Sequence, residues 1–297
     1  AAQLLAWMGA DVIVVETRQR LLSRGSPPYA HGIRSPNTSG HTNLLATNKR
    51  SITLNLTTPE ALDLAYEMVK VVDVVVENFS TGTMEKMGLG YDKLRRLRPD
   101  LVMLSLGGFG RKGEMSRYAA MHSGANMVSG LGSVIGQPGD RPRIMGSIFP
   151  DPMSGMYSCL AIMEALHYRR RTGLGQHIDF AMSEVLTHLI PEAVFDYSVN
   201  GREPEKRGNR DRLEAPQGVY RCKGWDAWIG VSVASEEEWQ ALCGALGQPD
   251  LAADARFATN QARMANHDEL DAIIGRWTRG HTAREAMRLL QGAGVPA

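Results

Sequence analysis

The sequence predicts an α/β fold whose larger part is a parallel sheet covered by helices on both faces. Runs such as Asp11-Val-Ile-Val-Val-Glu16 and Leu101-Val-Met-Leu-Ser-Leu106 are continuously aliphatic rather than alternating, as in strands buried on both sides. Segments of helical spacing separate these runs, so successive strands are joined by crossovers and pair in parallel. A change of texture near residue 200 predicts a second, smaller domain.

Taken in order, Ala1 to Gly9 reads as an amphipathic helix running into the strand at 11–16. No initiating Met precedes it, and a strand is expected before it, so the chain is expected to be a fragment. Ser51-Ile-Thr-Leu-Asn-Leu56 is strand-like, and Thr57 to Val71 is helical, with Thr57 and Glu60 at capping-box spacing. Asp73-Val-Val-Val76 is strand, Tyr91 to Arg98 helix, and Leu101 to Leu106 strand again. Ser80 to Gly90 and Gly124 to Gly139 are glycine-rich and read as loops. The apolar stretch Met153 to Tyr168 predicts a buried helix ended by Thr172-Gly-Leu-Gly175. His177-Ile-Asp-Phe180 follows as a short strand, then a helix from about Ser183 to Val199. Residues 1–200 thus read as a Rossmann-like, parallel-sheet large domain.

Residues 201–217, crowded with Arg, Glu, Gly and Pro, read as a linker. Residues 218–297 read as a smaller α+β domain. Its strands are Gly218 to Cys222 and Ala227 to Val233, and its helices open at Ser235 with Glu238 and at Thr282 with Glu285. Gln291-Gly-Ala-Gly-Val-Pro-Ala297 brings no closing element, so a return segment is expected beyond it.

Composition narrows the function classes. At 297 residues, with 43% hydrophobic and 22% charged, the chain can bury two cores. Thirty-three basic against 32 acidic residues give a net charge of +1, which speaks against nucleic acid or an anionic membrane as partner. Cys159, Cys222 and Cys243 form no C-x-x-C pair, which points to free thiols and a cytoplasmic location. No apolar run approaches the roughly 20 residues of a membrane-spanning helix. The dinucleotide and phosphate-loop glycine patterns are missing, as are G-x-S-x-G and H-E-x-x-H. His177-x-Asp179 reads as strand alternation, and no metal site is expected.

Five segments occur in the order found in family III CoA transferases, the group that includes formyl-CoA and carnitine CoA-transferases: Gly9-Ala-Asp-Val-Ile-Val-Val-Glu16, Asn48-Lys-Arg-Ser-Ile-Thr-Leu-Asn55, Val74-Val-Val-Glu-Asn-Phe79, Met87-Gly-Leu-Gly-Tyr91 and Gly107-Gly-Phe-Gly110. The resemblance continues through Pro150-Asp-Pro-Met-Ser-Gly155, Arg170 to Asp179, Ala215-Pro-Gln-Gly-Val-Tyr220 and Gly294-Val-Pro-Ala297. It implies transfer of CoA from an acyl-CoA donor to a carboxylic acid acceptor, with no tightly bound cofactor. It also implies an interlocked homodimer.

Asp151, between two prolines at the entrance to a long helix, reads from the residues alone as an N-cap with proline at the first helical position. The resemblance places the family's catalytic aspartate there. It would attack the thioester carbonyl and carry CoA as an aspartyl thioester, with one thioester replacing another. Backbone N–H groups of a glycine-rich loop would stabilise the oxyanions, and Gly107, Gly108 and Gly110 are the candidates; a tight strand-to-loop turn explains them equally. For CoA itself the resemblance points to Lys49, Asn78, Phe79 and Lys86, the last where relatives often carry Arg, and to Arg24 in the loop after the first strand. Arg34 and His41 could meet an acceptor carboxylate. The alternative within the superfamily is an α-methylacyl-CoA racemase, which pairs His with Asp as acid and base. His122 precedes Asp151, but the local run Ala120-Met-His-Ser-Gly124 sets it one position off the racemase-like Gly-His-Asp. A non-catalytic CoA-binding subunit is the alternative of a different class.

Overall fold

A computed structural model describes residues 1–18, 24–146 and 148–297. The chain divides into two compact units, residues 1–134 with 142–204, and residues 135–141 with 205–297.

In the first unit, α1 (Ala2–Trp7) leads into β1 (Val12–Glu16), and α2 (Gly40–Leu45) into β2 (Lys49–Thr53). The two strands pair in parallel, Val12 opposite Lys49 and Glu16 opposite Thr53. Helix α3 (Pro59–Val71) precedes β3 (Val74–Glu77), and α4 (Thr83–Lys86) and α5 (Tyr91–Leu97) precede β4 (Val102–Gly107). Then come α6 (His122–Val128), α7 (Leu131–Val134), the long α8 (Pro150–Thr172) and β5 (Gln176–Ala181). Strands β3, β4 and β5 form a parallel sheet in that order. The central strand is the driest: Leu101, Val102, Met103 and Leu104 are buried, as its unbroken aliphatic run requires. Helices α9 (Met182–Thr187) and α10 (Pro191–Asn200) complete the unit.

Local structure departs from the sequence reading in several places. The cap of α3 is Thr58, whose side chain accepts from the Ala61 N–H, because Pro59 takes the first helical position; Thr57 bonds Asn55 instead. The segment 124–139, read as a loop, contains most of α6 and all of α7. Its glycines lower helix propensity without forbidding helix once Ala125 and Leu131 are buried. The helix expected over 183–199 is two helices, parted before Pro191, which has no N–H for the ladder and excludes helical geometry just ahead of it.

Helix α8 is held at its C-terminal end. Gly173 supplies the left-handed cap (φ 75°). A side chain at Gly175 would overlap the Leu101 carbonyl. Arg169 bonds the Asp73 carboxylate at 2.9 Å and lies 3.6 Å from that of Asp100, while Arg98 bonds the same two carboxylates at 2.8 and 3.1 Å. Asp73 and Asp100 stand just ahead of β3 and β4, so this end of α8 lies at the amino edge of the sheet. Packing along β4 and β5, α8 carries its first turn to the carboxyl edge, about 27 Å from Arg169 at 1.5 Å per residue.

A buried ion pair organises that carboxyl edge. Glu77, closing β3, is bonded by Arg111, with side chains 3% and 8% exposed. The other Glu77 oxygen accepts the Phe79 N–H at 2.8 Å, and Asp179 of β5 accepts the Arg111 N–H at 2.8 Å. Three strand ends are thereby joined.

In the second unit, β6 (Gln217–Arg221) and β7 (Trp228–Ser232) form an antiparallel hairpin. Around it lie α11 (Glu236–Ala245), α12 (Asn260–Ala265), α13 (His267–Arg279) and α14 (Ala283–Gly292). Tyr220, Val231, Trp239, Phe257 and Ile274 form its core. Ser235 caps α11, and Thr282 with Glu285 closes a full capping box on α14. No described helix is long and apolar enough to cross a membrane, and the described residues contain no cluster of metal-ligating side chains. All three cysteines are buried and free.

Arg111→Met leaves Glu77 buried without its counter-charge and is expected to destabilise the fold by about 3 kcal/mol, read from the urea midpoint. Adding Glu77→Met should recover most of the loss.

Candidate active site

Asp151 is the second residue of α8. Pro150 takes the first helical position and Phe149 the N-cap position, without a side-chain hydrogen bond, so the reading of Asp151 as N-cap is corrected. Proline's fixed φ suits that position, and its missing N–H is no loss where no helical carbonyl could accept it. Asp151 is therefore a first-turn carboxylate at the positive end of the helix dipole. Its side chain is 53% exposed, with Oδ2 3.5 Å from Nδ1 of His122. His122 opens α6, and α6 packs against both α8 and α9. One displaced position in the sequence thus does not remove the imidazole from the carboxylate.

Gly107 closes β4 opposite Ala181. Gly108 lies against Ala120 so tightly that a Cβ at 108 would overlap the Ala120 Cβ, and its carbonyl accepts the Ser183 N–H at 3.0 Å. Ala120 stands just before His122 in the chain. Gly108 thus touches Ala120, two residues before the His122 that lies beside Asp151. Gly110 adopts φ 73°, which lets the loop return toward Arg111.

The residues expected to meet CoA do not all converge. Asn78 and Phe79 are exposed just past β3, at the same carboxyl edge as Gly107, with the Phe79 carbonyl 3.4 Å from Arg111 Nη2. Lys86 is exposed at the end of α4. Arg24 is held by Glu16 through Nε at 2.9 Å and Nη2 at 2.8 Å, and also bonds Asn37. The Arg24 guanidinium keeps the Glu16 carboxyl below its usual range. A phosphate at Arg24 would compete with that carboxylate. Glu16, Arg24, Asn37, Ser51 and Thr53 line a cavity of about 440 Å³ at the carboxyl ends of β1 and β2. Lys49 opens β2 and so stands at the opposite edge of that strand pair. It is half-buried, and burial lowers its pKa. Arg34 and His41 are exposed.

Sequence reading missed Glu77, Arg111 and Asp179, which position the glycine loop. The available signal was Glu77, an acidic residue closing the otherwise aliphatic β3. His177 is structural: its ring stacks on Tyr91 at 4.8 Å, bonds Ser105 Oγ at 2.9 Å, and has its pKa lowered by burial.

The model of CoA-transferase family III matches residues 1–297. The chain is 35% identical to the succinyl-CoA–D-citramalate CoA-transferase of Chloroflexus aurantiacus, over 99% of this chain and 72% of that protein. It is also 35% identical to the succinate–glutarate CoA-transferase of Agrobacterium fabrum, over 100% of this chain and 74% of that protein. Among solved structures, a CAIB/BAIF family protein from Brucella suis superposes with a TM-score of 0.88 at 32% identity, over 99% of this chain and 78% of that one.

Gly108→Ala forces its methyl into Ala120 and is expected to destabilise the fold by about 1–3 kcal/mol. Ala120→Gly in the same chain removes the overlapping atom, and the denaturant midpoint should return most of the way to the parent value.

Proposed function

The chain belongs to CoA-transferase family III and is a CoA-transferase, and from this premise we propose that it moves CoA between short dicarboxylic acids through a covalent intermediate on Asp151. The observation that carries the proposal is an exposed first-turn carboxylate at the carboxyl edge of a parallel sheet, where such sheets bind ligands. The names of the two relatives favour dicarboxylates.

In the first step an Asp151 oxygen attacks the thioester carbonyl carbon, the C–S bond breaks, and CoA leaves as thiolate. The thiolate then attacks the aspartyl carbonyl of the mixed anhydride, releasing the donor acid and leaving an aspartyl–CoA thioester. The acceptor carboxylate attacks that thioester, and the freed thiolate takes the acceptor acyl group from the second anhydride, regenerating the Asp151 carboxylate. Over the full cycle each C–S bond broken is replaced by another and each anhydride formed is consumed, so the thioester's free energy is retained. Each tetrahedral oxyanion needs donors, for which the loop of Gly107 and Gly108 is the candidate. His122 orients the Asp151 carboxylate between steps. Lys86, with Arg24 if Glu16 yields it, supplies positive charge for the CoA phosphates, and Asn78 and Phe79 meet the adenosine portion, whereas Lys49, at the opposite strand edge, takes no part in it.

A homodimer belongs to the same proposal. Helix α10 has no buried residue and exposes Val194, Phe195, Tyr197 and Val199 around its circumference, apolar surface suited to cover by a second copy.

The His122–Asp151 contact also favours a second reading, racemisation at the carbon α to the thioester with the pair as acid and base. Incubation of the full-length protein with succinyl-CoA and hydroxylamine, followed by peptide mass spectrometry, separates the two. Modification at Asp151 that disappears in Asp151→Ala is expected. Deuterium exchange at the substrate α-carbon with no adduct would establish the racemase instead. Lys86→Met is expected to raise KM for the CoA ester roughly five-fold with kcat little changed, as for an interaction equal in ground and transition states.

A further inference from the structure

His122 and Asp151 are in contact, and the helices that carry them, α6 and α8, each bury polar side chains further along. On α6, Asn126 stands four residues after His122, on the same face of the helix. On α8, Ser154 and Ser158 stand three and seven residues after Asp151, again on one face. The two helices pack against each other. Asn126 and Ser158 are 0% exposed and Ser154 is 1% exposed. Neither Asn126 side-chain atom and neither seryl hydroxyl has a hydrogen-bond partner among the described residues.

That combination calls for an explanation. A buried polar group without a partner is costly, and leucine or alanine would fill these positions with no such cost. Helical hydroxyls commonly donate to the carbonyl one turn back, as Thr172 does to Tyr168 and Ser198 to Val194. Ser154 and Ser158 do not. Nor is α6 short of ordinary bonds further along, since the Ser129 hydroxyl donates to the Asn126 carbonyl and the Ser129 carbonyl accepts from Thr187 of α9. On α6 and α8 the unpartnered atoms are those of Asn126, Ser154 and Ser158; elsewhere among the described residues Thr42, Arg111 and Trp239 also bury side-chain atoms without a partner. Small hydroxyl side chains there leave room, and water bridging several polar groups is the usual completion of such a buried set.

We propose that Asn126 is a positioning residue for the Asp151–His122 pair, acting through a water-bridged polar seam between α6 and α8 that Ser154 and Ser158 complete. The inference rests on Asp151 being the reacting carboxylate. A hydrogen-bonded seam sets the lateral register of two helices more sharply than apolar packing, which tolerates sliding. Register is what fixes the imidazole relative to the carboxylate.

Two measurements test it. In CoA transfer by the full-length protein, Asn126→Leu is expected to lower kcat at least ten-fold with KM for the acyl-CoA within two-fold. In an Asn126→Leu/His122→Ala double variant the two losses should not multiply, because Asn126 acts through His122. A kcat within two-fold of the parent, or losses that multiply, overturns the proposal. The second measurement does not depend on activity. Asn126→Leu alone and Ser154→Ala/Ser158→Ala together should each lower Tm by roughly 4 °C. Joining all three changes should bring Tm back toward the parent, since removing both sides of a polar interaction costs less than removing one. Tm losses that simply add overturn the seam. If the parent transfers no CoA, the proposed function fails while the Tm comparison still decides the seam.

Discussion

The carboxyl edge of the larger sheet depends on the Glu77–Arg111 ion pair. Parallel strands that finish in a glycine-rich loop have no intrinsic reason to end in register, because glycine gives the chain freedom rather than direction. Arg111 removes that freedom from three sides, binding the carboxylate that ends β3 and the Phe79 carbonyl, and offering its own N–H to Asp179 of β5. A buried pair of this kind contributes little net stability compared with an apolar replacement, but a broken one is expensive. Its value is geometric: with Arg111 fixed, residues 107–110 have one path back to it, Gly108 meets Ala120, and His122 arrives beside Asp151.

The opposite edge does complementary work on α8. Arg98 and Arg169 share the carboxylates of Asp73 and Asp100 at the entrances of β3 and β4. One long helix is thus tied at one end, and its first turn carries Asp151. A side chain on a loop would need its own anchors, whereas a residue in a helix pinned about 27 Å away inherits the stiffness of the rod. The nearly uniform burial of β4 follows from the same arrangement, because the sheet must present a flat dry surface along which α8 can lie.

Much of this was legible in the residues. Unbroken aliphatic runs announce strands, and β1, β3 and β4 lie where those runs are, but only β4 is buried on both faces, since Ile13 and Val15 of β1 and Val76 of β3 are exposed; β5 was legible instead from the alternation of His177-Ile-Asp-Phe180. The Thr282–Glu285 capping box could be read because it is local, both partners falling within one turn. What could not be read was either a matter of local competition or of long range. Thr57 and Thr58 are both plausible caps, and only the demand of Pro59 for the first helical position chooses between them. Helix α6 is hidden because His122-Ser-Gly-Ala-Asn-Met-Val128 has poor helix propensity and forms against α8 and α9. The pair that orders the glycine loop joins residues 34 apart, and nothing at either position names the other. Asp151 is singled out only by the family resemblance, since Pro-Asp-Pro is on its face an ordinary helix start.

The site sets two requirements in conflict, and the first turns of α6 and α8 meet both. A carboxylate that attacks a thioester must be reachable, and Asp151 is half exposed. A carboxylate that must return to the same place after each of several covalent steps also needs a rigid support, and rigidity comes from burial. Burial therefore changes sharply along the interface, from 53% exposure at Asp151 and 29% at His122 to none at Asn126 and Ser158. Apolar residues beneath the pair would satisfy burial but would leave rotation and sliding of the helices weakly restrained. Polar groups restrain both, at the cost of needing partners in a dry place. Among the described residues, the buried unpartnered polar atoms of α6 and α8 are those of Asn126, Ser154 and Ser158, each within two turns of His122 or Asp151.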